Sequence, residues 1–157
     1  HGGSTLAGLR PAAVETRILD ELAPTTTKDP MTARLALTMG ALLAMVSVAL
    51  GAFGAHALKG RLEADMAAVW QTAVQYHGWH ALALLAAGLL LLHRPDAGAV
   101  AIAAWLFAAG IVLFSGSLYM LALTGTRGLG AVTPLGGLAF LAGWAAFAWG
   151  AWRTLER

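Results

Sequence analysis

Polar and apolar positions in this chain segregate into long blocks. Four stretches, 35–58, 74–92, 97–123 and 131–152, hold no Asp, Glu, Lys or Arg and run 19 to 27 residues each. A helix needs about 20 apolar residues to cross a hydrocarbon core. Helices also satisfy their own backbone groups in lipid, so four transmembrane helices are expected. The fold class that follows is an all-α integral membrane four-helix bundle, antiparallel and up-down. Between the first two spans, GRLEADMAAVWQTA sets Leu62, Met66, Val69 and Ala73 at helical spacing opposite Arg61, Glu63 and Asp65. That predicts a short interfacial helix feeding span two.

Breaks between the blocks are marked. HRPDAG interrupts the chain through Pro95 and Gly98, and GTRGLGAVTP is a glycine-rich turn. Thr133 and Pro134 form an N-cap and first-turn pair for the last helix. Residues 31–157 make up the transmembrane domain, and residues 1–30 differ from it. HGGS reads as a tag remnant, TTTKDP as a linker, and the whole as a tag or upstream extension with Met31 as the natural start. PAAVETRILDELAP alternatively forms a native amphipathic surface helix on Val14, Ile18 and Leu22. Residues 31–57 share with signal peptides a basic start, an apolar run and the triplet Ala55-His56-Ala57. That run is long for the role, and an uncleaved first helix is expected.

Composition sharpens the membrane reading. The chain has 157 residues, of which 59% are hydrophobic and 11% charged, too few charges to clothe a soluble domain. Mean hydropathy is +0.70. The net charge of +2 is scattered, with no basic run for nucleic acid, and the lack of cysteine removes disulfides and thiolate chemistry. Arg34, Arg94, Arg153 and Arg157 fall at one membrane side; Lys59, Arg61 and Arg127 fall at the other. Arg10, Arg17 and Lys28 extend that bias if native, which places both termini in the cytoplasm. Trp149 and Trp152 near one boundary, and Trp70 and Trp79 near the other, fit aromatic belts.

Hairpin connectivity also gathers the polar side chains. His56 ends span one; Gln71, Gln75, Tyr76, His77 and His80 open span two; Ser115, Ser117 and Tyr119 lie late in span three; Thr133 opens span four. All fall in one leaflet. Polar groups at membrane depth turn inward to find partners, so a structural polar cluster of His56, His77, His80, Gln75, Ser115, Ser117 and Tyr119 is the main expectation. Two alternatives stand beside it. His77 and His80 share a helical face, and with His56 they could ligate a metal or heme. Tyr119 and Trp79 could instead wall a pocket for a quinone, lipid or small solute. No cofactor is the main expectation, and no catalytic constellation assembles. Stripes of small residues, Ala44, Ser47, Gly51 and Ala55 in span one and Ala142, Ala146 and Gly150 in span four, suit close helix packing.

GAFGAHALKG, WQTAVQYHGWHALALL, FSGSLYMLALTG and VTPLGGLAFLAGW, in this order, resemble the DUF423 family of small bacterial membrane proteins. The YgdD-like proteins belong to it, and the animal transmembrane protein 256 group is related. The likeness runs from about Met31 to Arg153. It implies a four-helix protein of the bacterial inner membrane with no established activity, and it favours His56 with His80 over His77. The expected role is non-enzymatic: a structural or accessory protein in the lipid bilayer, as a homo-oligomer or within a larger membrane complex. The alternative is a binding or redox module holding a metal, heme, quinone or lipid in the polar cluster.

Overall fold

A computed structural model describes residues 31–155. The extension 1–30, with its expected tag, linker or amphipathic helix, lies outside the described residues. Four helices carry the fold: α1 (Ala33–His56), α2 (Ala64–His93), α3 (Gly98–Thr124) and α4 (Thr133–Leu155), with no strand among the described residues. α3 contains a π-helical turn at Ile111–Ser115, and a 3-10 turn at Arg127–Ala131 precedes α4. Among the described residues, three segments are long and apolar enough to cross a membrane: Ala33–His56, Gly98–Thr124 and Arg127–Thr154. α2 is not among them. Gln71, Gln75, His77, His80 and His93 lower its hydropathy, and it compensates by burial, from Trp70 to Leu91.

Local chemistry sets the ends. Thr32 caps α1, its Oγ1 accepting from Leu35 N at 3.2 Å. Gly60 (φ 72) and Gly125 (φ 68) take left-handed conformations in the turns after α1 and α3, where a side chain would be strained. The expected interfacial helix is not a separate element. Residues 64–73 are the first turns of the 30-residue α2, because nothing after Glu63 interrupts the helix and Trp70 and Ala73 are buried against neighbours. Thr133 does not play the cap role foreseen for it. Leu135 N and Gly136 N reach Val132 O, while the Thr133 hydroxyl pairs with Ser117 at 2.8 Å.

Sequence neighbours are spatial neighbours. α1 packs on α2, α2 on α3 and α3 on α4; α2 and α4 touch only briefly. Each pair meets in opposite residue order, as Leu37 near Gly88 and Gly54 near Trp70 show for α1 and α2. The buried interior forms two clusters. One joins Ala36, Leu84, Leu91, Val100 and Ala104 beneath Met31; the other joins Ala81, Ala103, Phe107, Ile111 and Phe140.

Glycine sets the helix spacing. In α4, Gly136, Gly143 and Gly150 recur every seven residues and receive Phe114, Phe107 and Val100 of α3, which recur at the same interval. Phe140 of α4 in turn lies over Gly110 of α3. Large meets small from both sides, so the backbones approach closely, as helices in lipid require.

Candidate functional site

The site is assembled where the second half of α3 meets α2 and α4. His77 and His80, one helical step apart on α2, are 3% and 4% exposed, so both rings are inside protein. They do not share a partner. His77 Nδ1 lies 3.3 Å from the Tyr119 hydroxyl of α3. Its Nε2 makes no hydrogen bond of good geometry among the described residues, although the Leu43 backbone of α1 is close by.

His80 is held on every side. Trp144 Nε1 of α4 donates to His80 Nε2 at 3.2 Å. That fixes the tautomer: the proton is on Nδ1, which donates to Tyr76 O at 2.7 Å. Phe140 stacks on the ring with centroids 3.4 Å apart and planes at 10°. Phe107 tilts against it at 5.8 Å. The ring is therefore locked in plane, rotamer and protonation pattern.

The π-helical turn stands beside these rings. Gly116 N reaches back five residues to Ile111 O, so the usual carbonyl pairing of α3 is displaced by one. Ser117 Oγ donates to Phe114 O at 2.9 Å and pairs with Thr133. Ser115, fully buried in the turn, has an Oγ that makes no hydrogen bond among the described residues. Such turns often mark functional positions in helices.

Next to this core lies a groove of about 660 Å³ between α2 and α4. Tyr76, Trp79 and His80 form one wall, and Pro134, Leu138, Leu141 and Trp144 the other. Phe114 and Phe140 lie between them, and Gly137 leaves the space open. Trp79, Leu138 and Leu141 are 51%, 61% and 69% exposed, so the groove opens sideways and not toward an end of the molecule.

The remaining foreseen residues sit elsewhere. His56 ends α1, exposed, away from His77 and His80, and Gln75 is exposed on α2. The candidate metal set His56, His77 and His80 is thus not drawn together, and no other group of three or more metal-binding side chains occurs among the described residues. Ser47 and Gly150 are buried and Gly51 and Ala146 half-buried in helix contacts, whereas Ala55 and Ala142 are exposed. Trp70 is not in an interfacial belt: it is buried beneath Gly54, donating from Nε1 to Leu50 O at 3.1 Å. Trp144, Phe107, Phe114 and Phe140 were not singled out from sequence. A tryptophan in mid-span, far from either boundary, was the available signal.

The DUF423 family, described as "Protein of unknown function (DUF423)", matches residues 50–137. The chain belongs to the DUF423 family. "UPF0382 membrane protein YwdK" of Bacillus subtilis (strain 168) is 50% identical over 108 residues, covering 69% of this chain and 88% of that protein. "UPF0382 membrane protein SH2409" of Staphylococcus haemolyticus (strain JCSC1435) is 48% identical over 115 residues, 71% of this chain and 89% of that protein. No solved structure matches. With such relatives and three membrane-length apolar helices, the chain is a small membrane protein. The DUF423 match takes in His77, His80, Ser115, Ser117 and Tyr119, while Phe140 and Trp144 lie beyond its end.

Proposed function

We propose that this DUF423 protein crosses the bacterial inner membrane four times, with both termini in the cytoplasm, and acts without catalysis as a binding module for a lipid-soluble molecule. The sideways groove between α2 and α4 carries this reading. Its walls are aromatic and leucine-rich, and its volume of about 660 Å³ falls within the range of ligand sites. His80 spends both nitrogens inside the protein, so it shapes the wall and does not ligate. The ligand class that suits such a groove is an acyl or isoprenoid chain entering from the bilayer, with the Tyr76 hydroxyl as a polar contact. α2, at 30 residues, spans about 45 Å and is long enough to cross, with His77 and His80 buried against neighbouring helices.

A second reading makes the protein an accessory subunit or homo-oligomer. α1 and α4 each pack extensively on one neighbour only, leaving apolar faces such as Leu42, Met45 and Val48 of α1 exposed. One experiment separates the two. Native mass spectrometry of the full chain from mild detergent should show one retained lipid or prenyl chain, lost in Gly137→Trp, which fills the groove. A ligand-free wild type that is dimeric, and monomeric as Gly137→Trp, would put a second copy in the groove and end the ligand reading.

A further inference from the structure

A second cleft lies at the opposite end of the molecule, where α2 and α4 finish and α3 begins. It encloses about 250 Å³. Arg94, at the end of α2, donates from Nη2 to Thr154 O at 3.1 Å, which ties the turn before α3 to the last turn of α4. That bond uses one of the five N–H donors on its guanidinium. Arg153 holds its guanidinium over the Trp149 ring, 5.7 Å from the centroid. A stacked guanidinium keeps its edge N–H groups available to a planar or tetrahedral anion. Asp96 adds one carboxylate to the rim, so among the described residues two guanidinium groups stand against one carboxylate.

We propose that this cleft binds the phosphate of an anionic phospholipid headgroup. Three observations favour a lipid source for that phosphate. The cleft lies at the level where two helices end, which for a membrane-crossing chain is the headgroup layer. Trp149, which lines it, and Trp152 in the same last turns of α4 are 60% and 63% exposed, as belt tryptophans are. The arginines project from helix termini, where long basic side chains reach the interface while their stems stay in apolar surroundings. The inference rests on the membrane crossing proposed above and is independent of the groove between α2 and α4. With both termini cytoplasmic, the cleft faces the leaflet whose anionic lipids attract basic residues.

The test titrates the full chain in mild detergent with phosphatidylglycerol, with phosphatidylcholine and with inorganic phosphate, counting bound lipid by native mass spectrometry. Phosphatidylglycerol should bind in preference to phosphatidylcholine, and Arg153→Gln should weaken it roughly fivefold. Arg61→Gln, at the other end of the molecule, should leave it unchanged. Arg94→Gln should weaken it too, but that variant also removes a helix tie, so Arg153→Gln decides. Equal binding of both lipids, or wild-type affinity in Arg153→Gln, would overturn the proposal. Inorganic phosphate that alone stabilises the chain as much as phosphatidylglycerol does would overturn the lipid source. Gly137→Trp should keep this binding, so failure of the groove and failure of this cleft are told apart.

Discussion

The hairpin of α1 and α2 and the hairpin of α3 and α4 solve the same packing problem with different side chains. Both use small residues at seven-residue spacing: Gly40, Ser47 and Gly54 in α1, and Gly136, Gly143 and Gly150 in α4. In the first hairpin the glycines receive Leu85 and Trp70, and polar groups bridge to backbone. Ser47 Oγ donates to Val74 O at 3.2 Å and Trp70 Nε1 to Leu50 O. In the second, Phe114 and Phe107 meet two of the glycines and Val100 the third, and the helix opposite carries a π-helical turn. At Gly40 and Gly88 the first seam meets flexible aliphatic knobs, Leu85 and Leu37, and there it can adjust, although Trp70 closes it at Gly54. Flat rings against backbone make a seam that cannot, and one wall of the candidate groove is built on that side.

The sharpest way to break that contrast is to add one methyl to each seam. A Cβ at Gly136 would collide with the backbone N and Cα of Phe114, so the helices themselves must separate. Gly136→Ala should cost about 3 kcal/mol, at the upper end of overpacking penalties. At Gly40 the nearest atom is Leu85 Cγ, 2.8 Å away, with Leu85 N at 3.0 Å. Part of that clash can be relieved by a rotamer change, and Gly40→Ala should cost about 1 kcal/mol. Reversible unfolding of the two variants in mixed micelles compares them directly. Equal losses would mean that the two seams are equally stiff.

A smaller effect is expected where the second hairpin grips α2. Trp144→Phe keeps an aromatic ring at that position but removes the N–H that His80 Nε2 accepts. A buried acceptor left without its partner costs about 1–2 kcal/mol. The imidazole should also lose its fixed tautomer, which nitrogen NMR of labelled histidine reads directly. A single Nδ1–H form persisting in Trp144→Phe would show that Tyr76 O and the Phe140 stack suffice to set the ring.

How much of this was legible in the sequence follows from what periodicity can and cannot report. Uncharged blocks locate the helices because lipid admits little else, and hairpin connectivity assigns each polar residue to one end of the helices. Neither says which way a side chain faces around its helix. His56 is the last residue of α1 and is exposed, while His77, three residues from His80, is turned to a different partner. The packing stripes show the same limit. Steps of four residues drift around a helix, and Ala142, Ala146 and Gly150 accordingly pass from exposed to half-buried to buried. Steps of seven drift by only about 20°, and Gly136, Gly143 and Gly150 all stay against α3. The period that mattered was present in the sequence and was the less obvious of the two. The π-helical turn, which includes Phe114 where it meets Gly136, has no comparable signature.

The least disruptive change separates a glycine needed for close approach from one that is not. Gly51 lies in the first seam, half-buried, and a Cβ there would sit 3.4 Å from Val74 Cγ1, an ordinary contact. Replacing an interior helical glycine by alanine reduces the backbone entropy lost on folding, worth up to about 1 kcal/mol in water. With no clash to oppose it, Gly51→Ala should be neutral or stabilising by about 0.5 kcal/mol in the micelle assay. Gly51→Leu has no such room, because its branches must enter the space that Val74 fills, and should cost about 1–2 kcal/mol. An alanine at 51 as damaging as one at 40 would mean the α1 seam is backbone-tight along its whole length. The softness attributed to the first hairpin would then fail, and the two hairpins would differ in side chains alone.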